Sequence, residues 1–418
     1  MEQFKTNIMH TFEYVKTFLK WIAISLMIGV VGGLVGSLFH ISVDYVTALR
    51  ERWGYLILFL PFAGLLIVFL YQLFRKKGKI DTNRVIEAVR NDEKVPLVMM
   101  PLIFISTVVT HMFGGSAGRE GAALQLGGSI GYNIGKLFRF HAQKVRLLVM
   151  AGMGSVFSAL FGTPLTAAVF SMEVTNVGEI NHAGLVPCVL SALVSYMVSQ
   201  QLGLEGVRFD GIVVESLNIF LLGKIIILAI FCALVSILFC SAIHKSEAAM
   251  KRFLPSKYMQ VFVGGLLVVL LTILVGSQDY NGAGMHIISN AMNGQVKIEA
   301  FLLKIVFTAI TVAAGFKGGE IVPTFFIGST FGCAISHLLG IHPTLGAAVG
   351  MVTLFCCVVN CPIASIILSF EVFGADGMLF FALACSVGYM MSGYFGLYQK
   401  QKILYSKLDN EWVDTYTK

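Results

Sequence analysis

The stretch GGSAGREGAALQLGGSIG, residues 114–131, places Glu120 among glycines inside a strongly apolar chain. A second glycine-rich stretch, GFKGGEIVPTFFIGSTFG at 315–332, carries Glu320 in a similar setting. An ionisable side chain at membrane depth costs roughly a few kcal/mol or more, so it is by default a candidate functional group. The surrounding glycines indicate broken helices, whose free N–H groups attract anions. An acid beside an anion site predicts proton-coupled anion transport.

The composition is that of a membrane protein. Of the 418 residues, 56% are hydrophobic and 13% are charged, and the mean hydropathy is +0.81. Soluble domains carry roughly 25% charged residues. We therefore predict an all-α polytopic protein whose residues 1–418 form a single transmembrane domain in the lipid bilayer. Residues 1–20 lack the short apolar core of a cleavable signal peptide, so none is expected.

The cationic residues collect between the apolar segments. The net charge is +7, and the basic clusters are RKKGK at 75–79, KLFRFHAQKVR at 136–146, HKSEAAMKRFLPSK at 244–257 and the tail after Gln399. Basic loops mark the cytoplasmic side of a membrane protein. The charge therefore predicts an orientation in the membrane, and no nucleic-acid partner is expected.

The cysteines lie in apolar segments without the spacing of metal ligands, and they are Cys188, Cys232, Cys240, Cys333, Cys356, Cys357, Cys361 and Cys385. We expect them to be small buried side chains. Neither a metal nor a cofactor is expected.

Several apolar segments, such as 121–135, 162–175 and 361–373, are shorter than the roughly 20 residues needed to cross a bilayer. Short segments interrupted by glycine or proline point to half-helices that meet at a midplane site. The sequence therefore predicts broken or re-entrant helices.

The chain also repeats itself. FGTPLTAAVFSMEV at 161–174 matches VNCPIASIILSFEV at 359–372, and the two glycine-rich stretches match each other. The paired positions are Pro164 with Pro362, Glu173 with Glu371, Gly127 with Gly328, and Gly131 with Gly332. Two motifs at nearly the same offset and in the same order predict structurally repeated halves, about 75–200 and 258–400. The residues after Tyr398 are too few for a cytoplasmic regulatory domain.

The two repeated glutamates, Glu173 and Glu371, end matching short helices. We expect them to be architectural and to satisfy loop amides. A proton-path role for Glu173 is the alternative.

Gly118-Arg119-Glu120-Gly121 is the sharpest motif. Glycine allows the backbone to turn tightly and approach an ion. The amides after it, those of Gly121, Ala122 and Ala123, start an apolar helix and are expected to point back toward the turn. A carboxylate there can occupy the anion site and leave it when protonated. The alternative is a glutamate that only complements the helix dipole.

With these residues the chain resembles the CLC family of anion channels and anion/proton antiporters. The resemblance rests on GREG, on the GxxxP turn half a chain later and on GLY at 396–398, and it covers the whole chain. It implies a CLC-type fold and a homodimer with one pore per subunit. It also implies that Glu120 is the gating glutamate and that the Tyr398 hydroxyl donates to the anion from the cytoplasmic side.

Departures from the family pattern indicate its fluoride/proton antiporter branch. The family motif GREGP has Ala122 in place of proline, and the second loop, usually GxFxP, reads Gly319-Glu320-Ile321-Val322-Pro323. The internal proton-transfer glutamate of conventional exchangers has no match, since its candidate position is Val174. The family's GSGIP loop is missing, and its region reads GKIDTNRVIEAV at 78–89.

The branch implies roles for further residues. In it Glu320 takes part in proton and fluoride transfer, and Thr82 or Asn83 stands near the ion; the sequence leaves open which. Some members carry a threonine where Val322 lies, and this chain lacks that hydroxyl. The remaining positions assigned to the anion path are Gly118, Arg119, Gly121, Ala122, Gly319, Ile321, Phe325 and Phe326.

Side-chain chemistry agrees with this assignment. Fluoride is small and strongly hydrated, so a site must replace its water with several donors. The electropositive ring edges of Phe325 and Phe326 suit an anion path, and ordinary helix packing is the alternative. Lys317 and Arg119 flank the two acids and either tune them or face water, and His111 is expected to be structural.

We therefore expect a fluoride/proton antiporter that exports fluoride across the plasma membrane while protons move inward. A conventional chloride/proton exchanger or chloride channel of the same fold is the first alternative. A membrane-embedded enzyme or a scaffold is a second class, but no catalytic Ser/His/Asp set or metal cluster supports an enzyme. A scaffold needs no buried acid, so it would tolerate Glu120→Gln and Glu320→Gln.

Overall fold

The computed structural model describes residues 2–74, 81–91, 93–409 and 411–418, with side chains from Glu13 onward. The basic cluster at 75–79 lies outside the described residues. Most of the rest up to residue 391 is helical, as the apolar composition predicts.

The helices form two series with the same order of long and short members. The first series is α1 (Glu2–Arg52), α2 (Leu60–Leu73), α3 (Thr82–Asn91), α4 (Met99–Met112), α5 (Glu120–Leu137), α6 (Ala142–Phe161), α7 (Pro164–Glu173) and α8 (Leu185–Gln201). The second is α9 (Ile219–Phe253), α10 (Lys257–Val275), α11 (Met285–Met292), α12 (Ala300–Ala314), α13 (Ile321–Leu339), α14 (Pro343–Val359), α15 (Pro362–Phe373) and α16 (Met378–Met391). The predicted repetition and the broken helices are thus confirmed, while the bounds 75–200 and 258–400 of the halves stay a prediction.

Corresponding helices pack in corresponding ways, and the repeated glycines explain one such pair of contacts. Helix α5 crosses α6 as α13 crosses α14. A Cβ atom at Gly131 would overlap the carbonyl oxygen of Leu148, and one at Gly328 would lie 2.5 Å from that of Gly350. Small residues allow two helix backbones to approach closely in a membrane. These glycines therefore serve helix packing rather than a break in the helix.

Helices α7 and α15 lie antiparallel, and each is capped by the other. The carboxylate of Glu173 accepts the amides of Ile363 and Ala364 at 3.2 and 2.8 Å. In return, Glu371 accepts the amides of Leu165 and Thr166 at 2.9 and 2.8 Å. The architectural prediction for both glutamates is confirmed, although the amides belong to helix N-termini rather than loops. Because equivalent helices run in opposite directions, the two halves are inverted.

The helices are those of a multi-pass membrane protein. Among the described residues, seven helical segments are long and apolar enough to cross a bilayer, and five shorter apolar helices accompany them. Their outer faces expose large apolar side chains such as Leu38, Phe62 and Leu274. One expectation was wrong: most of the basic cluster 244–257 is not a loop but the last turns of α9, because its alanine, glutamate, lysine and arginine residues are good helix formers.

The C-terminal segment folds into a small sheet. Strand β1 (Asn176–Val177) pairs in parallel with β2 (Lys402–Tyr405), which pairs antiparallel with β3 (Trp412–Tyr416). This sheet joins the end of α7 to the residues after Tyr398. Sequence reasoning did not foresee it.

The eight cysteines are all buried and free. The prediction that they act as small buried side chains is confirmed.

Candidate functional site

The first turns of α5 and α13 meet at the centre of the molecule. Gly118 and Gly319 form a two-way antiparallel bridge, with N···O distances of 2.6 and 2.7 Å. This bridge joins the two glycine-rich stretches. As a result, the N-termini of α5, which begins at Glu120, and of α13, which follows Glu320, lie next to each other. The local sequence explains the geometry, because in each half a glycine-rich turn precedes the bridge and an apolar helix follows it.

Glu120 is fully buried as the first residue of α5. Its Oε2 atom accepts the amide of Arg119 at 2.9 Å and, across the bridge, the amide of Val322 at 3.2 Å. Its Oε1 atom is buried without a hydrogen-bond partner among the described residues. The carboxylate therefore occupies a position in which the start of α13 offers a donor to a negative charge.

Glycine is required on both sides of this contact. A Cβ atom at Gly319 would lie 2.8 Å from the Glu120 amide nitrogen and would also overlap the amide nitrogen of Gly121. A Cβ atom at Gly118 would overlap Oε2 of Glu120. The close approach of backbone and carboxylate thus depends on the absence of side chains at Gly118 and Gly319.

The remaining first-turn residues are placed by these two helices. Glu320 precedes α13 and is partly exposed, and its side chain makes no cap hydrogen bond. The side chains of Ile321, Val322 and Ala122 are buried. The Ala123 amide donates to the Arg119 carbonyl oxygen within the helix. The expectation that this amide is free was therefore wrong.

The two basic residues that flank the acids point away from them. The Arg119 guanidinium pairs with Asp44 at 2.7 Å and contacts Nε2 of His40 at 3.2 Å, both on α1. Lys317 lies over the Tyr71 ring, with its Nζ atom 4.7 Å from the ring centroid. The backbone of Arg119, rather than its side chain, is therefore what reaches Glu120.

Three further candidates come from Tyr398 and from the start of α3, Thr82 and Asn83. The Tyr398 hydroxyl is buried without a hydrogen-bond partner among the described residues, and it lies within electrostatic range of Glu120 and Glu320. The Thr82 hydroxyl lies 3.4 Å from the Gly121 carbonyl oxygen. Asn83 instead accepts the amide of Lys400 at 3.2 Å. Of the two first-loop candidates, Thr82 is the one that contacts the GREG turn.

Sequence reasoning missed Gln125. Its Nε2 atom donates to the Thr82 hydroxyl at 3.0 Å, and its buried Oε1 atom has no partner among the described residues. The available signal was a lone amide one turn beyond Gly121 in an otherwise apolar run. Such an isolated residue has no spacing pattern that separates it from an ordinary buried polar group.

The two phenylalanines pack among other rings. Phe325 contacts the rings of Phe161 and Phe355, with centroids 5.8 and 5.3 Å apart. Phe326 lies against Tyr280 at 6.2 Å. Both observations agree with the packing alternative.

His111 is fully buried, and its Nδ1 atom lies 2.9 Å from the Thr107 carbonyl oxygen. Because a carbonyl only accepts, Nδ1 is the donor. The arrangement fits the expected structural role.

The site combines the buried Glu120 carboxylate, backbone donors and two unpartnered atoms, the Tyr398 hydroxyl and the Gln125 Oε1. In the described part of the chain, no group of three His, Cys, Asp or Glu side chains is arranged to hold a metal ion. What the site offers is exchange of a carboxylate for another anion.

Comparison with known proteins identifies the family of the chain. The profile of the voltage gated chloride channel family matches residues 63–393. A "Chloride/fluoride channel protein" of Pseudomonas syringae pv. tomato is 34% identical over 93% of this chain and 87% of its own length. The "H(+)/Cl(-) exchange transporter ClcA" of Vibrio vulnificus is 26% identical over 82% of this chain and 80% of its own.

Among solved structures, a CLC-type fluoride/proton antiporter superposes with a TM-score of 0.88 at 34% identity, over 92% of this chain and 98% of that one. A slow cyanobacterial Cl⁻/H⁺ antiporter superposes with a TM-score of 0.78 at 18% identity, over 89% and 94%. The second likeness concerns the fold alone.

Proposed function

Because the chain belongs to the CLC family of voltage gated chloride channels and related transporters, we propose that it is a fluoride/proton antiporter. It exports fluoride from the cytoplasm while protons move inward. The observation that carries the proposal is the contact of the buried Glu120 carboxylate with the Val322 amide across the Gly118–Gly319 bridge. The likeness to a fluoride/proton antiporter at 34% identity supports the choice of ion.

Glu120 alternates between two states. As a carboxylate, it fills the place of the anion and accepts the Arg119 and Val322 amides. When a proton binds, the side chain loses the charge that holds it against these donors, and it leaves the position to fluoride. Because each state excludes the other, the passage of fluoride depends on the proton.

The second carboxylate and the hydroxyl groups complete the path. Glu320 lies at the start of α13 beside the Gly121 turn, where a second proton carrier or an acceptor for a protonated anion is needed. Tyr398 and Thr82 supply O–H donors from the cytoplasmic side, with Gln125 holding Thr82. Several compact donors suit fluoride, whose strong hydration must be replaced on binding.

The remaining assignments follow from the resemblance. We propose that residues 1–418 form a single transmembrane domain, which works as a homodimer in the plasma membrane. The apolar outer faces of the helices support lipid exposure or self-association. Cross-linking in native membranes measures the oligomeric state.

Flux from proteoliposomes tests the proposal. Vesicles are loaded with sodium fluoride or sodium chloride, and anion efflux and external pH are followed together. We expect fast fluoride efflux, slow chloride efflux and proton uptake linked to the fluoride flux. Equal or faster chloride efflux would instead indicate a conventional chloride/proton exchanger or channel.

The same vesicles test the two acids. Glu120→Gln should abolish fluoride-driven proton uptake, because the glutamine amide cannot bind and release a proton as a carboxylate does. Glu320→Gln should weaken the coupling between proton and fluoride movement. Glu179→Gln, which neutralises an exposed glutamate, is the matched control. Uphill proton movement that persists in Glu120→Gln would contradict the gating role.

A further inference from the structure

Two buried cations lie on the outer side of the site and take no part in the mechanism above. Arg50, at the end of α1, is 5% exposed, and Lys304, in α12, is 0% exposed. Neither forms an ion pair with a carboxylate of the described residues; the acid that acts on Arg50 is its exposed neighbour Glu51. Charges buried without a counter-charge usually cost several kcal/mol each, so their retention needs a reason.

The two cations enclose one short stretch of the loop between α10 and α11. Lys304 donates to the carbonyl oxygens of Tyr280 and Gly282 at 3.2 and 2.7 Å. The Arg50 guanidinium lies against the other side of Gly282, where a Cβ atom would be 2.5 Å from Nη1. Arg50 also donates to the His111 carbonyl oxygen at 3.2 Å. Carbonyl oxygens are thus the partners of both cations.

Each cation retains an unused donor. The Nε atom of Arg50 is buried without a partner among the described residues. An ammonium group has three N–H donors, and two of those of Lys304 are used. His111 does not supply a counter-charge, because an imidazole is either neutral or positive. Its Nδ1–H donates to Thr107, and its Nε2 atom has no partner among the described residues.

The place of these groups connects them to the anion path. Helix α10 starts beside the basic cluster 244–257, so its other end and the following loop lie on the outer side. The Gly282 amide in that loop donates to the Gly115 carbonyl oxygen at 3.1 Å, in the stretch that leads to Glu120. The Lys304 Nζ atom lies 5.0 Å from the ring centroid of Phe326, near the start of α13.

We propose that Arg50 and Lys304 form an outer binding site for a small inorganic anion, which holds the ion between Glu120 and the extracellular solution. The choice of fluoride as that ion rests on the proposed function. An anion supplies the counter-charge that the protein does not, and the free N–H groups supply its donors. A purely structural clamp on Gly282 needs only a neutral donor.

Hydrogen exchange tests the site on the wild-type protein in detergent, with sodium fluoride compared with sodium gluconate. Fluoride at ten times its dissociation constant should slow exchange of the amides at 280–284 by about tenfold, because binding stabilises the closed loop by mass action. Exchange that is the same in both salts overturns the proposal.

Three variants separate charge from clamping. Lys304→Arg should keep the fluoride-dependent protection, whereas Lys304→Gln, which keeps a neutral donor, should remove it. Lys297→Gln neutralises an exposed lysine that pairs with Asp279 at 3.2 Å, just before these amides, and should keep the difference in exchange between the two salts. Protection that persists in Lys304→Gln indicates a clamp and overturns the anion site. If Lys304→Gln does not fold, Arg50→Lys and Arg50→Gln make the same comparison.

The outcomes also separate this site from the proposed function. Loss of protection with normal fluoride/proton exchange removes the outer site alone. Protection in a wild-type protein that moves no fluoride in proteoliposomes removes the proposed transport and leaves an anion-binding site. Glu120→Gln should stop coupled flux while the protection at 280–284 remains.

Discussion

At the scale of single residues, the site depends on two positions without a side chain, Gly118 and Gly319. The Glu120 carboxylate reaches a backbone donor of the opposite half because neither Gly118 nor Gly319 carries a Cβ atom. The Val322 backbone amide donates to Glu120 without help from its own side chain. A hydroxyl at position 322 is therefore not required for the contact with Glu120.

Gly319→Ala tests this dependence. The added methyl group would lie 2.8 Å from the Glu120 amide nitrogen and overlap that of Gly121, so the bridge must open. We expect fluoride efflux to fall by about tenfold or more, since small displacements of positioned groups have large effects on rate. Efflux from proteoliposomes at matched protein density measures it.

The matched control is Gly223→Ala within α9, where no other atom of the described residues lies within 4 Å of the new methyl group. Because alanine favours a helix over glycine by roughly 1 kcal/mol, this change should be neutral or stabilising. Wild-type efflux in Gly319→Ala would show that the two turns tolerate separation.

At the scale of elements, the reciprocal caps of α7 and α15 hold the halves together. Each of the two glutamates satisfies two amides that a helix N-terminus leaves without partners. The exchange also aligns each carboxylate with the positive end of the opposite helix dipole. Repetition in the sequence thus reflects a contact that the pseudo-symmetry makes twice.

Glu173→Gln and Glu371→Gln should therefore lower stability alike. A glutamine turns an NH₂ group toward a backbone N–H, and the loss of a charged hydrogen bond costs roughly 2 kcal/mol. Unfolding in detergent measures the effect, and the proton-to-fluoride ratio should stay unchanged in both variants. A lower ratio in Glu173→Gln alone, at unchanged stability, would favour the proton-path alternative.

Much of this arrangement follows from local sequence. The glycine-rich turns and the paired glutamates recur in register, so repeated motifs were sufficient to predict repeated, broken helices around two acids. The inversion of the two halves became visible only in the antiparallel packing of α7 and α15. Gln125, Arg50 and Lys304 follow no motif. Their roles depend on partners such as Thr82, His111 and Gly282, which only the packed helices bring near.

At the scale of the whole molecule, the C-terminal segment joins both halves beneath Tyr398. The Gln401 side chain donates to the carbonyl oxygens of Val174 and Val359, at 2.9 and 2.7 Å. These carbonyls end α7 and α14, one from each half. The Gln401 amide and the Thr417 hydroxyl both donate to the Tyr398 carbonyl oxygen, at 2.8 and 2.7 Å. Gln401 thus connects Tyr398 to both halves, through its side-chain amide and its backbone N–H.

Gln401→Leu should disturb fold and transport together. The carbonyl oxygen of Val174 loses the Gln401 donor, that of Val359 keeps only the weak Cys361 thiol donor, and the cost is roughly 1–3 kcal/mol each. We also expect the Tyr398 hydroxyl to shift. We expect a lower unfolding temperature and fluoride efflux reduced by about tenfold. Gln399→Leu, at an exposed neighbouring position, should change neither. A Gln401→Leu protein that is less stable but transports normally would show that the C-terminal sheet supports the fold without positioning Tyr398.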